Sequence, residues 1–364
     1  MRKRITCFIA SMAGGGAEHQ MAFLTGMLAE RGYDVTLVTY NGVPDFYNVD
    51  NHVKRVELNV KGNKLKKWYS IYKFFMRHKT DCIISFREQM NFILLLAVLF
   101  QKVKVIVGER NTTIGSPTKY GWINIHCLYN RAAYIVPNSY TQKKYIDGHN
   151  KRLAEKTITI INYTDLDVFK QTELPEIKDT IKIGIFARFY AQKNYERFAY
   201  MLAELKKERR MGFHITWYGN QYNKEKELSE GYLRFMTLIK SLEIDDVIRL
   251  SPSIKDVPHE IEKYHAICLP SLYEGFSNSV SEGICSGRPM LVSDVSDNSL
   301  MVHEGENGFL FNPLDIEDMK RAFLSFLSLD YSMMVLMGNR SREIAEKLFN
   351  KENFVSSYVN LIEN

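Results

Sequence analysis

Cysteine, proline and tryptophan are scarce in this chain, whose 364 residues include five, nine and three of them respectively. The five cysteines are odd in number and widely scattered, which argues against a disulfide framework and favours reduced thiols in a cytosolic protein. The longest apolar run, residues 92–100, falls far short of the roughly 20 residues that a membrane-spanning helix needs. The sequence therefore predicts neither a disulfide-stapled nor a membrane-spanning protein.

What the chain does contain is typical of a folded protein. Apolar residues make up 45% of it, charged residues 25% and aromatic residues 12%, which excludes a disordered or low-complexity chain. The length predicts two domains. Residues 5–12 follow a basic N-terminus as in a signal peptide, but no small-residue cleavage site comes next, so we interpret them as a first β-strand.

The net charge of +6 is divided unevenly along the chain. Residues 1–170 carry 25 Lys and Arg against 13 Asp and Glu, whereas residues 171–364 carry 23 against 29. A basic half is suited to nucleic acid, to an anionic membrane surface or to a phosphorylated substrate, and charge alone does not choose among them.

Short apolar strings alternate with longer amphipathic stretches throughout. This pattern predicts two doubly wound α/β units in which parallel strands alternate with helices. The expected strands of the first half are 5–10, 35–39, 54–58, 82–85, 103–108, 134–137 and 157–161, and those of the second half are 182–186, 214–218, 248–250, 266–269 and 290–293. Residues 169–180 have few large apolar side chains and predict an exposed linker, and residues 349–364 predict a final amphipathic helix.

A glycine-rich turn follows the first predicted strand. Gly14, Gly15 and Gly16 precede apolar residues at helical spacing. Glycines at such a turn let backbone amides approach a phosphate at the N-terminus of the helix. Two alternatives are a dinucleotide fingerprint, which would need a glycine where His19 stands, and a tight turn without a ligand.

Two cations and two carboxylates mark the second half. Arg188 and Lys193 follow a predicted strand, at the edge of an open sheet where ligands bind, and they suit a diphosphate unless they are simply solvated. Glu274 precedes a glycine turn and Glu282 lies in the predicted helix that follows, where both carboxylates can accept hydrogen bonds from the vicinal diols of a ribose or hexose. Gly287 and Pro289 predict the end of that helix.

These motifs together resemble the retaining glycosyltransferases of family 4, the glycosyl transferases group 1, over nearly the whole chain. The motifs are Gly-Gly-Gly-Ala-Glu at 14–18, Gly-Glu-Arg-Asn at 108–111, Pro-Asn-Ser at 137–139, Ile-Asn-Tyr-Thr-Asp at 161–165 with Phe169, Ala-Arg-Phe with Lys-Asn at 187–194, Gly219, Glu274 with Glu282, and Asn307-Gly308. The resemblance implies the α/β GT-B fold, with two Rossmann-like domains facing across a cleft. It implies an acceptor-binding domain of residues 1–170, to which the C-terminal helix 349–364 returns, and a nucleotide-sugar-binding domain of residues 171–348.

The resemblance also implies roles for individual residues. In similar enzymes the positions of Arg188 and Lys193 neutralise the diphosphate leaving group without a metal, and that of Glu274 meets the donor sugar, so these three are the expected catalytic residues. The expected donor-binding residues are Gly14, Gly15, Gly16, Arg188, Lys193, Gly219, Glu274, Gly275, Phe276, Ser277, Asn278 and the ribose-binding Glu282. The expected acceptor-binding residues are Glu18, Glu109, Arg110 and Asn111. For Glu109, where many relatives have histidine, an ion pair with Arg110 is the alternative.

Three loops depart from expectation. Residues 296–299, Ser-Asp-Asn-Ser, replace a usual glycine-rich stretch, and Asn162-Tyr163 replaces a usual Asn-Gly pair. Asp165-Leu166-Asp167 spells the metal-binding pattern of a different glycosyltransferase fold, and we interpret it as a turn that starts a helix.

The activity implied by the resemblance is retaining transfer of a hexose or N-acetylhexosamine. The donor is a nucleotide sugar, most commonly linked to UDP, and the acceptor is a glycan or lipid-linked saccharide of surface polysaccharide synthesis; no cofactor or metal is expected. The alternatives are a GT-B-fold sugar-nucleotide epimerase and a non-enzymatic basic protein that binds nucleic acid. The basic residues are spread over many predicted helices, which argues against nucleic acid as a partner.

Residues 64–79 bear on a membrane partner. Leu65, Trp68, Tyr69, Tyr72, Phe75 and Met76 are expected on one helical face, with Lys66, Lys67, Lys73 and Arg77 around the other. The segment is either an interfacial helix on an anionic membrane or a core helix with a solvated basic face. The expected location is cytoplasmic, with peripheral contact to the inner face of the cytoplasmic membrane.

Overall fold

The computed structural model describes residues 2–58, 60, 62–110, 118–208, 212–223 and 227–364. The chain divides into a first unit, Met1–Tyr163 with Lys351–Asn364, and a second unit, Thr164–Asn350. Each unit has a six-stranded sheet whose paired strands are all parallel, and helices separate most consecutive strands along the chain. The predicted pair of doubly wound α/β units is confirmed.

The first unit has the strand order β3-β2-β1-β4-β5-β6, with a topological switch between β1 and β4. Its strands are β1 (Arg4–Phe8), β2 (Asp34–Thr39), β3 (Lys54–Glu57), β4 (Cys82–Phe86), β5 (Lys104–Glu109) and β6 (Tyr134–Pro137). Its helices are α1 (Gly16–Glu30), α2 (Lys64–Arg77), α3 (Glu88–Ala97), α4 (Lys119–His126), α5 (Tyr140–His149) and the last helix of the chain, α13 (Lys351–Glu363). Short 3-10 turns occupy Leu128–Arg131 and Lys151–Lys156. All five residues of β4 are buried, as expected for a parallel strand covered on both faces.

The second unit has the strand order β12-β11-β10-β7-β8-β9, with its switch between β7 and β10. Its strands are β7 (Ile181–Phe186), β8 (Phe213–Gly219), β9 (Ile248–Pro252), β10 (Ala266–Leu269), β11 (Met290–Ser293) and β12 (Gly308–Phe311). Its helices are α6 (Tyr195–Lys207), α7 (Glu230–Ser241), α8 (Val257–Ile261), α9 (Asn278–Cys285), α10 (Asn298–Met301), α11 (Ile316–Leu327) and α12 (Tyr331–Leu348). A 3-10 turn, Ala191–Lys193, precedes α6.

Local sequence explains where many helices begin and end. Short polar side chains cap the helices by accepting hydrogen bonds from backbone N–H groups in the first turn. These caps are Asn63 for α2, Thr118 for α4, Ser139 for α5, Ser229 for α7, Asp256 for α8, Asp315 for α11 and Asp330 for α12. Helix α9 ends before Gly287, whose φ of +66° is left-handed, and Pro289 leads into β11, as the sequence predicts.

The predicted strand 157–161 is wrong. Only Thr157 forms a bridge, to Ile135 of β6, although the N–H groups of Ile158 and Ile160 donate to carbonyls of that strand. A parallel ladder would next need the N–H of residue 137, and Pro137 has none. Strand β12 is absent from the predicted strands, because it has only four residues and begins at Gly308 of the Asn307-Gly308 motif.

The segment that leads from Thr164 into β7 is bonded to the rest of the second unit at several points. The Thr164 hydroxyl donates to the Ser281 hydroxyl at 2.8 Å, and the Arg342 guanidinium donates to the carbonyl of Phe169 at 3.0 Å. Leu174 is buried, and its carbonyl accepts from the Tyr331 hydroxyl at 2.7 Å. The predicted linker 169–180 is thus exposed at many positions but anchored along its length, and the division of the chain comes earlier, after Tyr163.

The last helix returns to the first unit, as predicted. Helix α13 contributes Phe354, Val355, Tyr358, Leu361 and Ile362 to a buried core that also contains residues of β1, β2, β4 and α1. All five cysteines of the chain are free thiols, and four are buried. No helix in the described part of the chain has the length and apolar content needed to span a bilayer.

Candidate active site

The carboxyl end of β7 carries Arg188, the first candidate cation. A short loop follows the strand, and Phe189 in this loop is buried. Arg188 is exposed, and its guanidinium lies 5.9 Å from the centroid of the Tyr190 ring. None of the described carboxylates forms an ion pair with Arg188. A guanidinium that is not neutralised at the switch point of a parallel sheet is suited to an anionic ligand.

Lys193 and Glu274 form an ion pair in this loop region. The Lys193 ammonium donates to Glu274 Oε1, and both side chains are largely buried. The two loops are further joined by the Gln192 amide, which donates to the carbonyl of Tyr273 at 2.7 Å, and by the N–H of Leu272, which donates to the carbonyl of Gln192 at 2.8 Å. The structure therefore brings two of the three expected catalytic side chains together.

Asn194 fixes the direction in which the loop enters α6. It has a left-handed φ of +59°, a conformation that asparagine tolerates better than most residues. Its buried side-chain amide donates to the carbonyl of Pro313 at 2.7 Å, which ties the loop to the segment after β12.

The glycine turn after β10 leads into the N-terminus of α9. Ser277 occupies the N-cap position, but its hydroxyl accepts no capping hydrogen bond and is buried without a partner among the described residues. The Ser271 hydroxyl is also buried with no hydrogen-bond partner in the described part of the chain. Because the first amides of a helix have no intrahelical acceptor, this end of α9 offers donors to an anion or a sugar hydroxyl.

Glu282 lies on α9 and is partly buried. No described cation is paired with it, and burial raises the pKa of its carboxyl to about 8. A carboxyl without a counter-charge is costly to keep in a folded unit, and such groups are common where a ligand supplies the partner. Gly283, the next residue, lets α9 approach the sheet, since a Cβ there would lie 2.9 Å from the Met290 sulfur.

The structure explains one of the predicted donor-site glycine positions by packing. A Cβ at Gly219 would lie 2.6 Å from the carbonyl oxygen of Ala187, so β8 requires glycine there. A Cβ at Gly15 would lie 2.5 Å from Glu18 Oε2, the end of a flexible side chain, so packing does not by itself require glycine at that position. Donor contact by these glycines, and by Gly14 and Gly16, stays a prediction.

Glu18 has a partner that the sequence did not indicate. Its buried carboxylate accepts a hydrogen bond from Arg87 Nη1 at 3.0 Å, which joins the turn after β1 to the turn after β4. Arg87 has a left-handed φ of +85°, which an arginine rarely adopts. The pair lies at the switch point of the first sheet, and the position of Arg87, two residues after the predicted strand 82–85, is the signal that could have identified it.

Glu109 and Arg110 are both buried but do not pair with each other. Neither carboxylate oxygen of Glu109 has a hydrogen-bond partner among the described residues. Burial, and then the Glu88 carboxylate, raise the pKa of Glu109 well above its ordinary value. The ion-pair alternative for Glu109 is therefore wrong.

Arg110 connects three separate parts of the first unit. Its guanidinium lies 4.2 Å from the centroid of the Phe86 ring and donates to Asn162 Oδ1 at 3.1 Å and to the Tyr358 hydroxyl of α13. This arrangement accounts for Arg110 without an acceptor. Asn111, the remaining candidate for the acceptor site, lies outside the described residues.

The loops that depart from the family pattern are ordered by their own contacts. The Ser296 hydroxyl donates to the carbonyl of Gly275 at 2.7 Å, which connects the replaced glycine stretch to the candidate donor loop. The Asp165 carboxylate accepts from the N–H of Asp167 at 2.9 Å. Residues 165–167 thus form a turn, as predicted, but no helix follows them.

Comparisons with known proteins agree with this geometry. Residues 180–328 match the family described as Glycosyl transferases group 1. An uncharacterized glycosyltransferase of Haemophilus influenzae is 23% identical over 359 residues, which cover 94% of this chain and 96% of that protein. The N-acetylgalactosamine-N,N'-diacetylbacillosaminyl-diphospho-undecaprenol 4-alpha-N-acetylgalactosaminyltransferase of Campylobacter jejuni is 22% identical over 80% of this chain and 81% of its own length.

A solved structure shares the architecture of the whole chain. The crystal structure of Anabaena HepE in complex with UDP and glucose matches with a TM-score of 0.78 at 15% identity and covers all of both chains. A likeness at that identity establishes the fold. The family match over residues 180–328 and the full-length relative agree with the resemblance to the glycosyl transferases group 1, and the shared architecture confirms the predicted GT-B fold.

Proposed function

We propose that this protein transfers a hexose or N-acetylhexosamine from a UDP-sugar to a lipid-linked or glycan acceptor in cell-surface polysaccharide synthesis. The second unit binds the donor and the first unit binds the acceptor. The Campylobacter jejuni relative is named for a diphospho-undecaprenol acceptor, and the HepE structure holds UDP, which supports both halves of the proposal. The observation that carries it is one loop after β7 that contains both Arg188, which forms no ion pair with a described carboxylate, and Lys193, which is paired with Glu274.

The charges that develop during transfer fit these groups. Breaking the anomeric bond leaves positive charge on the sugar and negative charge on the departing diphosphate. Arg188 contacts the diphosphate, and Lys193 shares its ammonium between Glu274 and the phosphate oxygens. Positive charge at the leaving group is thereby supplied by side chains, and the proposed reaction uses no metal ion.

The acceptor attacks on the face that the diphosphate leaves, so the anomeric configuration is retained. A leaving-group oxygen takes the proton of the acceptor hydroxyl, and Glu274, already paired with Lys193, is not required as a base. Glu274 instead accepts hydrogen bonds from donor-sugar hydroxyls, with the amides around Gly275 to Asn278. Glu282 accepts from the ribose diol, and Glu109 contacts a sugar hydroxyl with its otherwise unpartnered carboxyl.

The donor site is tested by calorimetry with UDP, GDP, ADP and NAD. We expect selective binding of UDP and a loss of at least about 100-fold in Arg188→Ala/Lys193→Ala, because each charge-assisted hydrogen bond contributes about 1.5–3 kcal/mol. The matched control is Lys178→Ala/Lys255→Ala, which removes two exposed lysines of the second unit that have no ion pair with a described carboxylate. Equal binding by both double variants, or no nucleotide binding at all, contradicts the proposal.

Glu274→Gln separates binding from transfer in the same experiment. Removing the carboxylate releases Lys193, so UDP should bind as tightly as before or more tightly, whereas donor turnover should fall sharply. Slow hydrolysis of the donor, followed by proton NMR in the presence of a chelator, should first release the sugar in the anomeric configuration of the donor. Release of the opposite anomer would exclude retention, dependence on added metal would exclude the metal-free step, and formation of an epimerised sugar nucleotide would identify an epimerase.

A further inference from the structure

The first unit exposes apolar side chains that its own core does not use. Three lie on α2, namely Leu65, Tyr69 and Met76, which are 76%, 58% and 55% exposed. Two lie in the turn after α3, where Leu99 is 39% and Phe100 94% exposed. These five residues are called the docking surface below.

Helix α2 has two apolar stripes. Ile71 and Phe75 are buried in the core of the first unit. Leu65, Tyr69 and Met76 are four and seven residues apart and so follow one another along the outward stripe. The predicted single face that grouped Phe75 with Leu65, Tyr69 and Met76 is wrong, because Phe75 lies on the core side of α2 and the other three lie on its exposed side.

The turn that contains Phe100 is fixed by hydrogen bonds to its backbone. Arg131 Nη2 donates to the carbonyls of Val98, Gln101 and Val103 and so holds the turn in one conformation. The Gln101 amide contacts the Met76 sulfur at 3.3 Å, so the turn adjoins the C-terminal end of α2. The Phe100 ring is therefore exposed to solvent on an ordered turn, although burying an aromatic ring would be favourable.

The surroundings of the docking surface are basic. Residues 61–80 contain seven Lys and Arg and no Asp or Glu. Lys66, Lys73 and Arg77 are exposed on α2, and Lys102 follows the Phe100 turn. None of these four forms an ion pair with a described carboxylate, in contrast to Lys54 and Arg55 nearby in the chain, which pair with Asp34 and Asp45.

We propose that the docking surface binds an anionic lipid bilayer, with Phe100 and Leu99 inserted at the headgroup level and the flanking cations on the lipid phosphates. Aromatic and aliphatic side chains surrounded by Lys and Arg are typical of interfacial contact. A second copy of this chain fits poorly, because it would bring the same uncompensated cations together. Lipid binding by this surface is independent of the proposed function. Only the role of that binding, to bring the enzyme to a lipid-linked acceptor, rests on the proposed function.

Vesicle flotation of the full chain tests this proposal. Vesicles of equal parts phosphatidylethanolamine and phosphatidylglycerol should carry the protein at low salt, and vesicles of phosphatidylcholine should not. Lys66→Gln/Lys73→Gln/Arg77→Gln should lower the partition coefficient by roughly 100-fold, because each cation near an anionic surface contributes about a factor of five. Leu99→Ser/Phe100→Ser should reduce flotation and leave its salt dependence in place.

Matched controls alter the same residue types on the second unit. Leu314→Ser/Leu336→Ser changes two exposed leucines, and Lys178→Gln/Lys240→Gln/Lys255→Gln removes three exposed lysines. Both controls should float like the wild type. Absence of flotation on the anionic vesicles, equal loss in controls and variants, or a dimer in solution that the docking-surface variants abolish would each overturn the proposal.

UDP calorimetry on the same variants keeps the two proposals apart. Every docking-surface variant should bind UDP like the wild type, which also shows that it is folded. UDP binding without flotation would contradict the docking surface and leave the donor site intact. Flotation without UDP binding would contradict the proposed donor site and leave the docking surface intact.

Discussion

At the scale of single residues, Glu282 combines a partly buried carboxyl with the lack of a paired cation in the described part of the chain. Its pKa of about 8 means that it is mostly protonated at neutral pH in the empty protein. A ribose diol donates two hydrogen bonds best to the ionised carboxylate. Donor binding should therefore release a proton from Glu282.

We expect UDP affinity to rise about tenfold between pH 7 and pH 9, because Glu282, with its pKa of about 8, ionises over this range. Glu282→Gln should remove this rise, because the amide keeps its shape but does not titrate. Calorimetry in buffers of different ionisation enthalpy counts the released proton. An identical pH profile for Glu282→Gln would contradict the role of Glu282 at the ribose.

The same substitution has a consequence for stability. The pKa of Glu282 is raised on folding, so its contribution is fully present below the ordinary carboxyl pKa and is lost as the pH rises through about 8. Glu282→Gln should accordingly melt like the wild type at pH 4 and at a higher temperature than the wild type at pH 9. This comparison uses the empty protein and is independent of donor binding.

Residues could be assigned from the sequence only where chain position decides their surroundings. Arg188 and Lys193 follow a strand of a parallel sheet, and that position alone puts them at its carboxyl edge. The pairing of Glu18 with Arg87, 69 residues apart, depends on β1 and β4 being neighbours. Glu109 has no ion pair with Arg110 because the Arg110 guanidinium points to Asn162 and Tyr358 instead. The sequence next to Glu109 does not determine that direction.

At the scale of elements, α13 is the clearest case of a helix that serves a distant part of the chain. Its Phe354 contacts Tyr163 and Tyr358 by ring packing and is 7% exposed. Its Tyr358 hydroxyl accepts from Arg110, so the helix is tied to the first unit by both apolar and polar contacts. This docking joins the two ends of the chain in one core.

We expect Phe354→Ala to destabilise the first unit by about 3–5 kcal/mol, the usual effect of removing a buried aromatic ring. Urea unfolding followed by a probe in each unit should show an earlier transition for the first unit alone. Leu336→Ala, on exposed α12 surface, is the control and should change stability by less than about 0.5 kcal/mol. An equal shift of the second-unit transition would contradict the assignment of α13.

Strands were predictable where apolar runs are long and bounded by turns, as at β4 and β10. The failures have local causes. Residues 157–161 have the composition of a strand, but Pro137 on the facing strand cannot complete the ladder. Strand β12 is short and starts at a glycine, so its position depends on pairing with β11 more than on its own sequence.

At the scale of the whole molecule, the charge division follows the two units. The first unit carries 25 Lys and Arg against 13 Asp and Glu, and the second carries 23 against 29. The basic unit is the one with the docking surface, and the acidic unit contains Arg188 and Lys193. The general field of the second unit is thus unfavourable to a diphosphate, which makes the local cations of the candidate donor site more important.

We expect residues 164–350 to fold as a fragment and to bind UDP, because they form one continuous stretch with its own sheet and core. The affinity should lie within a few-fold of that of the full chain and should again depend on Arg188 and Lys193, as measured by calorimetry. Transfer to an acceptor should be absent. A folded fragment that does not bind UDP would show that the first unit contributes essential donor contacts.

The return of α13 to the first unit also sets an order of events during synthesis. The ribosome releases the whole second unit before it releases the helix that completes the core of the first. Until then the apolar surface that will receive Phe354, Tyr358 and Ile362 stays uncovered on the nascent chain. The first unit should therefore be synthesised first but complete its folding last. Until then its exposed apolar surface makes it the part of the nascent chain best suited to bind a chaperone.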